Sequence, residues 1–431
     1  MEEKYYFSIP DSQVPRIVII GGGFAGLKMA RSLRNAPYQV VLIDKNNYHQ
    51  FQPLFYQVAM SGLEPSSIVF PLRKAFQKQK EFYFRNAEVI KIDSELNEVQ
   101  TDRGWLTYDY LILAMGADTN FFGNQMIADH ALPMKSVTEA LYLRNKILED
   151  LETALNIRDY EERQSWIDIV IVGGGPTGVE VSGALAEMRK FILPKDYKEL
   201  NPEEIDIYLV EAGPSLLSGM SDVSGRKAEE FLLEMGVLVK KNTQVVSYDG
   251  KLVTMNDGSV IQSRKLIWAA GVSGNKIPGL RADAIVRGNR IKVDAFNKVH
   301  ESENIYAIGD IASMVSDEYP HAHPQVAQVA LQQGQLLAKN LIRKSKGQVE
   351  KPFKYVDKGS MATIGKNKAV ADLPLMKMNG FFAWLIWLAV HLLSLIGVKN
   401  KLLVFVNWLI NYMTYDPSLR LIIRPRVPKK V

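Results

Sequence analysis

Apolar runs punctuated by glycine set the rhythm of this chain. Arg16–Ile20 (RIVII) is a β-branched run leading directly into the glycine-rich stretch 21–26. After it, Leu27, Ala30 and Leu33 recur at helical spacing, and Gln39–Ile43 is apolar again. That order predicts a strand–helix–strand unit. A second copy starts at Ile167 (IDIVIVGGGPTGVEVSGALAEM), with its next strand at Ile205–Val210. Between the copies lie an apolar strand, Tyr108–Met115, ending at Gly116, and a charged helical stretch from Ser136 to about Ile157. Asp257-Gly258 separates two alternating runs, as a hairpin turn does. Leu266–Ala270 and Ile305–Ile308 read as further buried strands, the latter running into Gly309-Asp310. Two βαβ units about 150 residues apart predict an α/β fold with two Rossmann-like dinucleotide-binding domains.

The C-terminal pattern differs. Met378–Val398 spans 21 positions without Asp, Glu, Lys or Arg, and LLVFVNWLINYM follows after the interruption GVKNK. The first stretch is long enough to cross the ~30 Å hydrocarbon core. It is nevertheless broken by Asn379, Gly380, His391, Ser394 and Gly397, while Asn407 and Asn411 give the second stretch a polar stripe. Arg420, Arg424 and Arg426 follow. Two helices lying in the membrane interface, with basic residues on anionic head groups, account for both segments better than a span does. A homodimer interface stays open. The expected division is therefore residues 1–118 with 273–345 for the first domain, 119–272 for the second, and 346–431 for a membrane-anchoring helical region.

Composition narrows the chemistry. Of 431 residues, 47% are hydrophobic and 23% charged, as in a folded globular chain. With no cysteine at all, disulfides, thiolate metal sites, thiolate-held iron–sulfur clusters and dithiol mechanisms are excluded. From Lys399 onward seven Lys and Arg stand against one Asp, which places most of the net +5 charge in the tail. The near-neutral body speaks against nucleic-acid binding. The N-terminus carries three acids and no apolar core, unlike a secretory signal.

Gly21, Gly23 and Gly26 follow a strand and open a helix. The first makes the tight turn, the second admits a pyrophosphate to the backbone, and the third allows close helix–strand packing. Asp44 ends the next strand, where a carboxylate holds ribose hydroxyls. Gly173, Gly175 and Gly178 repeat the pattern with Glu211 closing their strand, and an acid there favours NADH over NADPH. Two dinucleotides in one chain imply electron transfer between a nicotinamide and a flavin. His321 and His323 lie two apart with no accompanying acid or thiol cluster, and are expected to be loop histidines, not metal ligands.

Tyr108–Gly116 and Ile305–Asp310 resemble the corresponding elements of two-dinucleotide-binding-domain flavoproteins, with Met115 where a Thr is usual. The resemblance implies FAD in the first glycine-rich site, bordered by Ala114, Gly116 and Gly309, with Asp310 on the ribitol and NADH in the second site. Within that group the missing cysteine sets aside disulfide and sulfide:quinone reductases. Tyr48–Gln57 (YHQFQPLFYQ) and Ala327-Gln328-Val329-Ala330-Leu331-Gln332 resemble type II NADH:quinone dehydrogenases. This implies membrane-associated, FAD-dependent oxidation of NADH with reduction of quinone and no proton pumping. On a helix begun near Pro324, Ala327 and Ala330 keep the backbone close to the isoalloxazine, and Gln328 and Gln332 share one face, suited to donating hydrogen bonds to quinone carbonyls. By the same resemblance Glu180 lies near flavin and quinone for proton delivery, its pKa raised by an apolar pocket; orienting the nicotinamide or flavin is its competing role. The expected location is peripheral, on the cytoplasmic face of a bacterial-type inner membrane. A soluble NADH-dependent ferredoxin or rubredoxin reductase accounts for the βαβ units but not for the C-terminus or the glutamines. A flavin-binding redox sensor would keep the same binding motifs.

Overall fold

A computed structural model describes residues 4–416 and 419–424; Glu2, Glu3 and Arg426 of the sequence reading lie outside the described residues. In chain order, the helices carrying functional side chains are α1 (Phe24–Ser32), α2 (Phe55–Ala59), α3 (Val137–Ala154), α4 (Pro176–Phe191), α5 (Ala327–Ser345), α6 (Phe381–Ser394) and α7 (Val398–Thr414). The chain divides into two compact units. One comprises residues 1–49, 70–118 and 272–357; the other comprises 50–69, 119–271 and 358–431.

The first unit is built on a five-stranded parallel sheet in the order Ile305–Ala307, Tyr110–Leu113, Arg16–Ile20, Gln39–Asp44, Phe82–Asn86. Arg16–Ile20 lies at its centre, in register with Gln39–Ile43 on one side, while Ile17–Ile20 align with Tyr110–Leu113 on the other. Ile17, Val18 and Ile19 are wholly buried, which is why this strand is a continuous apolar run instead of an alternating one. Helix α1 returns from the sheet and packs on α5.

The second unit repeats the architecture. Its parallel sheet runs Leu132–Pro133, Leu266–Trp268, Ile169–Val172, Ile207–Val210, Leu238–Lys240. Helix α3 starts with a full capping box, in which Ser136 Oγ accepts from the Glu139 amide and Glu139 Oε2 accepts from the Ser136 amide at 2.9 Å. The hairpin expected at Asp257-Gly258 joins the antiparallel strands Leu252–Met255 and Val260–Gln262.

Residues 358–416 and 419–424 belong to this second unit. They begin as a three-stranded antiparallel sheet, Ser360–Gly365, Lys368–Leu373 and Met376–Asn379. The uncharged stretch 378–398 is not one helix. It starts in the last of these strands, turns at Gly380 (φ 71°), forms α6 and ends at Gly397 (φ 87°), where α7 begins. At 14 residues α6 is about 21 Å long. Among the described residues no helix is long and apolar enough to cross a membrane.

Candidate active site

The two glycine turns are built alike. In the first, Gly21 adopts φ 103°, and a Cβ there would fall 2.4 Å from the Ala114 carbonyl oxygen; at Gly26 it would fall 1.9 Å from that of Gly21. Strand, turn and helix therefore approach at backbone distance, as the motif requires. Gly23, by contrast, has open space where a side chain would stand. Asp44 accepts from the Gly22 amide through one carboxylate oxygen and from the Asn46 amide through the other, both at 2.6 Å. Burial raises its pKa, against the pull of these two amides. His49, from the Tyr48–Gln57 stretch, bonds the Gly22 carbonyl through Nδ1 at 2.9 Å; burial lowers its pKa to about 4, so the ring is neutral and is the donor.

In the second turn Gly173 (φ 110°) and Gly178 make the same close approaches, to Ala269 and Gly173, and the position of Gly175 is open. Glu211 accepts from the Gly174 amide at 2.5 Å and from the Gly213 amide at 2.6 Å. Both open turns face the first amides of a helix, the arrangement that receives a pyrophosphate.

Elsewhere in the first unit, Gly309 and Asp310 follow the Ile305–Ala307 strand and are braced from α5 and the segment before it. Gln333 Oε1 accepts from the Gly309 amide at 2.7 Å, and Gln325 Nε2 donates to the Asp310 carbonyl at 3.0 Å. Helix α5 opens at Ala327, three residues later than Pro324, because Val326 is extended and serves as its cap. Gln328 and Gln332 do share a face of α5, but Gln332 is otherwise engaged. Its amide nitrogen donates to the Val356 carbonyl at 2.8 Å and its oxygen accepts from the Val356 amide at 3.0 Å. These two bonds clamp Gln332 to the chain passing at Val356. His323 is buried in an aromatic cluster with Tyr319, Phe353 and Tyr355, and His321 is exposed.

Glu180 lies in the second unit, on α4, and faces a cavity of 620 Å³ enclosed by α2, α4, the strand Ser360–Gly365, α6 and α7. Protein surrounds its carboxyl, yet part of the side chain still looks into the cavity. Desolvation raises its pKa to about 8; the Thr363 amide and the Trp387 indole are the groups favouring its ionised form. The indole N–H is buried and completes no hydrogen bond of its own. Gly183 permits this arrangement, since a Cβ there would overlap the Ile364 carbonyl, at 1.6 Å. Neither the Trp387 indole nor the Thr363 amide was legible from sequence as a neighbour of Glu180.

The two terminal helices turn opposite faces to protein and to solvent. Asn400 and Asn411 donate to the carbonyls of Val69 and Gly62, Trp408 donates to Gln57 Oε1 at 2.7 Å, and Val404 is fully buried between them. Of the expected polar stripe, Asn411 is thus turned inward, together with Asn400. Outward stand Phe382, Leu393, Leu402, Val406 and Met413, all exposed. Arg420 and Arg424 pair with Asp196 and Glu149 of the same unit.

Residues 15–334 match the family profile described as pyridine nucleotide-disulphide oxidoreductase, and residues 358–415 match the NDH2 C-terminal domain. The chain is 35% identical to the type II NADH:quinone oxidoreductase NdhA of Mycobacterium tuberculosis, over 92% of this chain and 87% of that protein. It is 33% identical to Ndh of the same organism, over 94% and 90%. A solved structure of NDH2 from Plasmodium falciparum in complex with NADH shares the fold with a TM-score of 0.86 at 23% identity, covering 96% of this chain and 100% of that one.

Proposed function

Because this chain belongs to the type II NADH:quinone oxidoreductases, we propose that its oxidation of NADH and reduction of quinone run through the two glycine turns and the Glu180 cavity. The enzyme is a non-proton-pumping flavoprotein using FAD and NADH. The turn at Gly21, Gly23 and Gly26 is assigned to FAD, with Asp44 toward its ribose, Ala114 and Gly116 beside it, and Gly309 and Asp310 at the ribitol. The open position at Gly23 and the braced Gly309–Asp310 turn fit such a group. Gly173, Gly175, Gly178 and Glu211 are assigned to NADH. When bound, FAD supplies the two-electron chemistry between NADH and quinone.

The observation that carries the quinone assignment is Glu180, a carboxyl held neutral by burial and facing a cavity large enough for a quinone ring. A neutral acid there donates its proton to a quinone oxygen as charge builds on it. Gln328 with Ala327 is assigned a supporting contact on the reacting rings; Gln332 holds Val356 instead. The exposed apolar faces of α6 and α7 lie on the lipid surface, on the cytoplasmic side where NADH is available, with exposed Lys399 placed to meet head groups.

The test compares NADH oxidation by the detergent-purified protein with a short-chain quinone and with ferricyanide. Saturable quinone turnover that Glu180→Gln slows, with flavin reduction by NADH intact, supports the assignment. Equal loss in both half-reactions moves Glu180 to positioning the cofactors.

A further inference from the structure

Glu180 is not the only acid in this cavity. Glu187 lies two turns further along α4 and faces the same space, with Ala184 between them. At 1.5 Å per residue the two are about 10 Å apart along the helix, beyond direct transfer. Tyr56 of α2 lines the cavity too, and charge on either carboxylate acts on its hydroxyl. Gln57 Nε2 donates to the Tyr56 oxygen at 2.7 Å, which leaves the tyrosine proton for another acceptor. Gln57 is itself held by Trp408 Nε1 at 2.7 Å.

The two ends of this row differ in access. Around Glu180 stand Trp387 and Thr363, 1% and 4% exposed. Around Glu187 stand lysines that reach the surface. The Lys366 amide donates to Glu187 Oε1 at 2.5 Å, and the Lys366 ammonium donates to the Tyr412 carbonyl at 2.7 Å, over the rings of Tyr412 and Tyr415. Lys368 pairs with Glu234 at the surface.

We propose that Glu187 is a proton-relay residue, taking a proton from water at the lysine-bordered end of the cavity and passing it through the Tyr56 hydroxyl to Glu180. The inference rests on reading the cavity as the quinone site. The reaction is NADH + H⁺ + quinone → NAD⁺ + quinol: both electrons and one hydrogen come from NADH, and one proton comes from solvent. Glu180 gives its proton to a quinone oxygen and becomes a carboxylate. Tyr56 transfers its hydroxyl proton to Glu180 and recovers one from Glu187, which solvent reprotonates. The groups facing Glu187 are Glu180 on its own helix, Tyr56 from α2, Lys366 and Lys368 from the C-terminal sheet and Tyr412 from α7. Desolvation outweighs the two lysines and keeps its carboxyl above the usual range, as a donor requires.

The test uses the full-length, flavin-loaded protein in stopped flow. Glu187→Gln retains an acceptor for the Lys366 amide but cannot carry a proton. It is expected to slow flavin reoxidation by a short-chain quinone about tenfold or more. Imidazole, a small diffusible proton donor, and the Glu187→Asp variant should each restore part of the rate. Turnover with ferricyanide, which takes electrons without protons, reports on fold and flavin. In infrared difference spectra recorded during flavin reoxidation, Glu187→Gln should lose a carboxyl band present in the parent. An unchanged reoxidation rate, an equal fall with ferricyanide, or no rescue by imidazole overturns the relay. Glu180→Gln separates the two levels. If it leaves quinone reoxidation unaffected, the quinone reading itself fails; if it slows reoxidation while Glu187→Gln does not, only the relay falls.

Discussion

Asp44 and Glu211 hold their respective glycine turns by the same pair of bonds. Each carboxylate accepts from the amide of the residue between the motif's first two glycines, Gly22 or Gly174, and from the amide two residues beyond itself, Asn46 or Gly213. The acid at each strand end is thus part of the turn before any dinucleotide arrives. A ribose hydroxyl bound as proposed would meet a carboxylate already oriented by two fixed donors, so little ordering would be left for binding to impose.

This double role shapes what Glu211→Arg should do. Removing the carboxylate opposite ribose is expected to let NADPH compete, with the NADH-to-NADPH ratio of kcat/KM falling at least tenfold. The same change strips two amides of a charged acceptor, so the variant should lose about 2 kcal/mol of stability. Steady-state kinetics with both nucleotides and a urea melt check the two effects. Unchanged selectivity would remove Glu211 from the ribose.

Gln328 and Gln332 should separate cleanly. Gln332→Ala is expected to lower stability by about 1 kcal/mol through loss of the Val356 clamp, while leaving the quinone KM within twofold. Gln328→Ala should raise the quinone KM by roughly tenfold, the cost of one hydrogen bond to the substrate. A quinone titration on each variant decides between them; a large KM change in Gln332→Ala would return that residue to the substrate.

The Glu180 carboxyl, at about 8 in the fold, sits far above its ordinary value near 4.3. Between those values the folded protein keeps a proton the unfolded chain has lost. The group's stabilising share is therefore intact below about pH 4 and drains away as pH rises toward 8. Glu180→Gln should accordingly melt higher than the parent at pH 9 and level with it at pH 4. In the parent, reoxidation by quinone should fall about tenfold per pH unit above pH 8 as the donor ionises. Stopped-flow and melting series across pH 4–9.5 read both limbs.

Leu402→Asp combined with Val406→Asp places charge on the outward face of α7, away from Val404 and Asn411. Co-sedimentation with phospholipid vesicles should drop by tenfold or more, given ~0.8 kcal/mol for each methylene withdrawn from lipid. Ferricyanide turnover is expected to persist. Unaltered sedimentation would assign that face to another contact.

Much of the scaffold was readable because strands and turns here are local. RIVII is a strand from Arg16 to Ile20, and Asp44 and Glu211 stand where strand ends put them. What escaped depended on distant chain. Gln332 and Gln333 are adjacent and identical in letter, yet one clamps Val356 and the other reaches the Gly309 amide; only the burial of α5 distinguishes them. Asn400 and Asn411 of α7 face inward because carbonyls at Val69 and Gly62, far away in sequence, await them. Charge counting over 378–398 is blind to the positive φ of Gly380 and Gly397, which break the stretch.

One helix, α4, begins at the second glycine turn and goes on to present Glu180, Ala184, Glu187 and Phe191 to the cavity. Each residue advances a helix by 100°, so a single insertion or deletion between Gly178 and Glu180 would swing that whole row a quarter-turn or more off target. Point changes can retune the acids one at a time, but length changes in this segment are barred. The second glycine turn and the acids facing the cavity are therefore inherited together, as a single indivisible block of sequence.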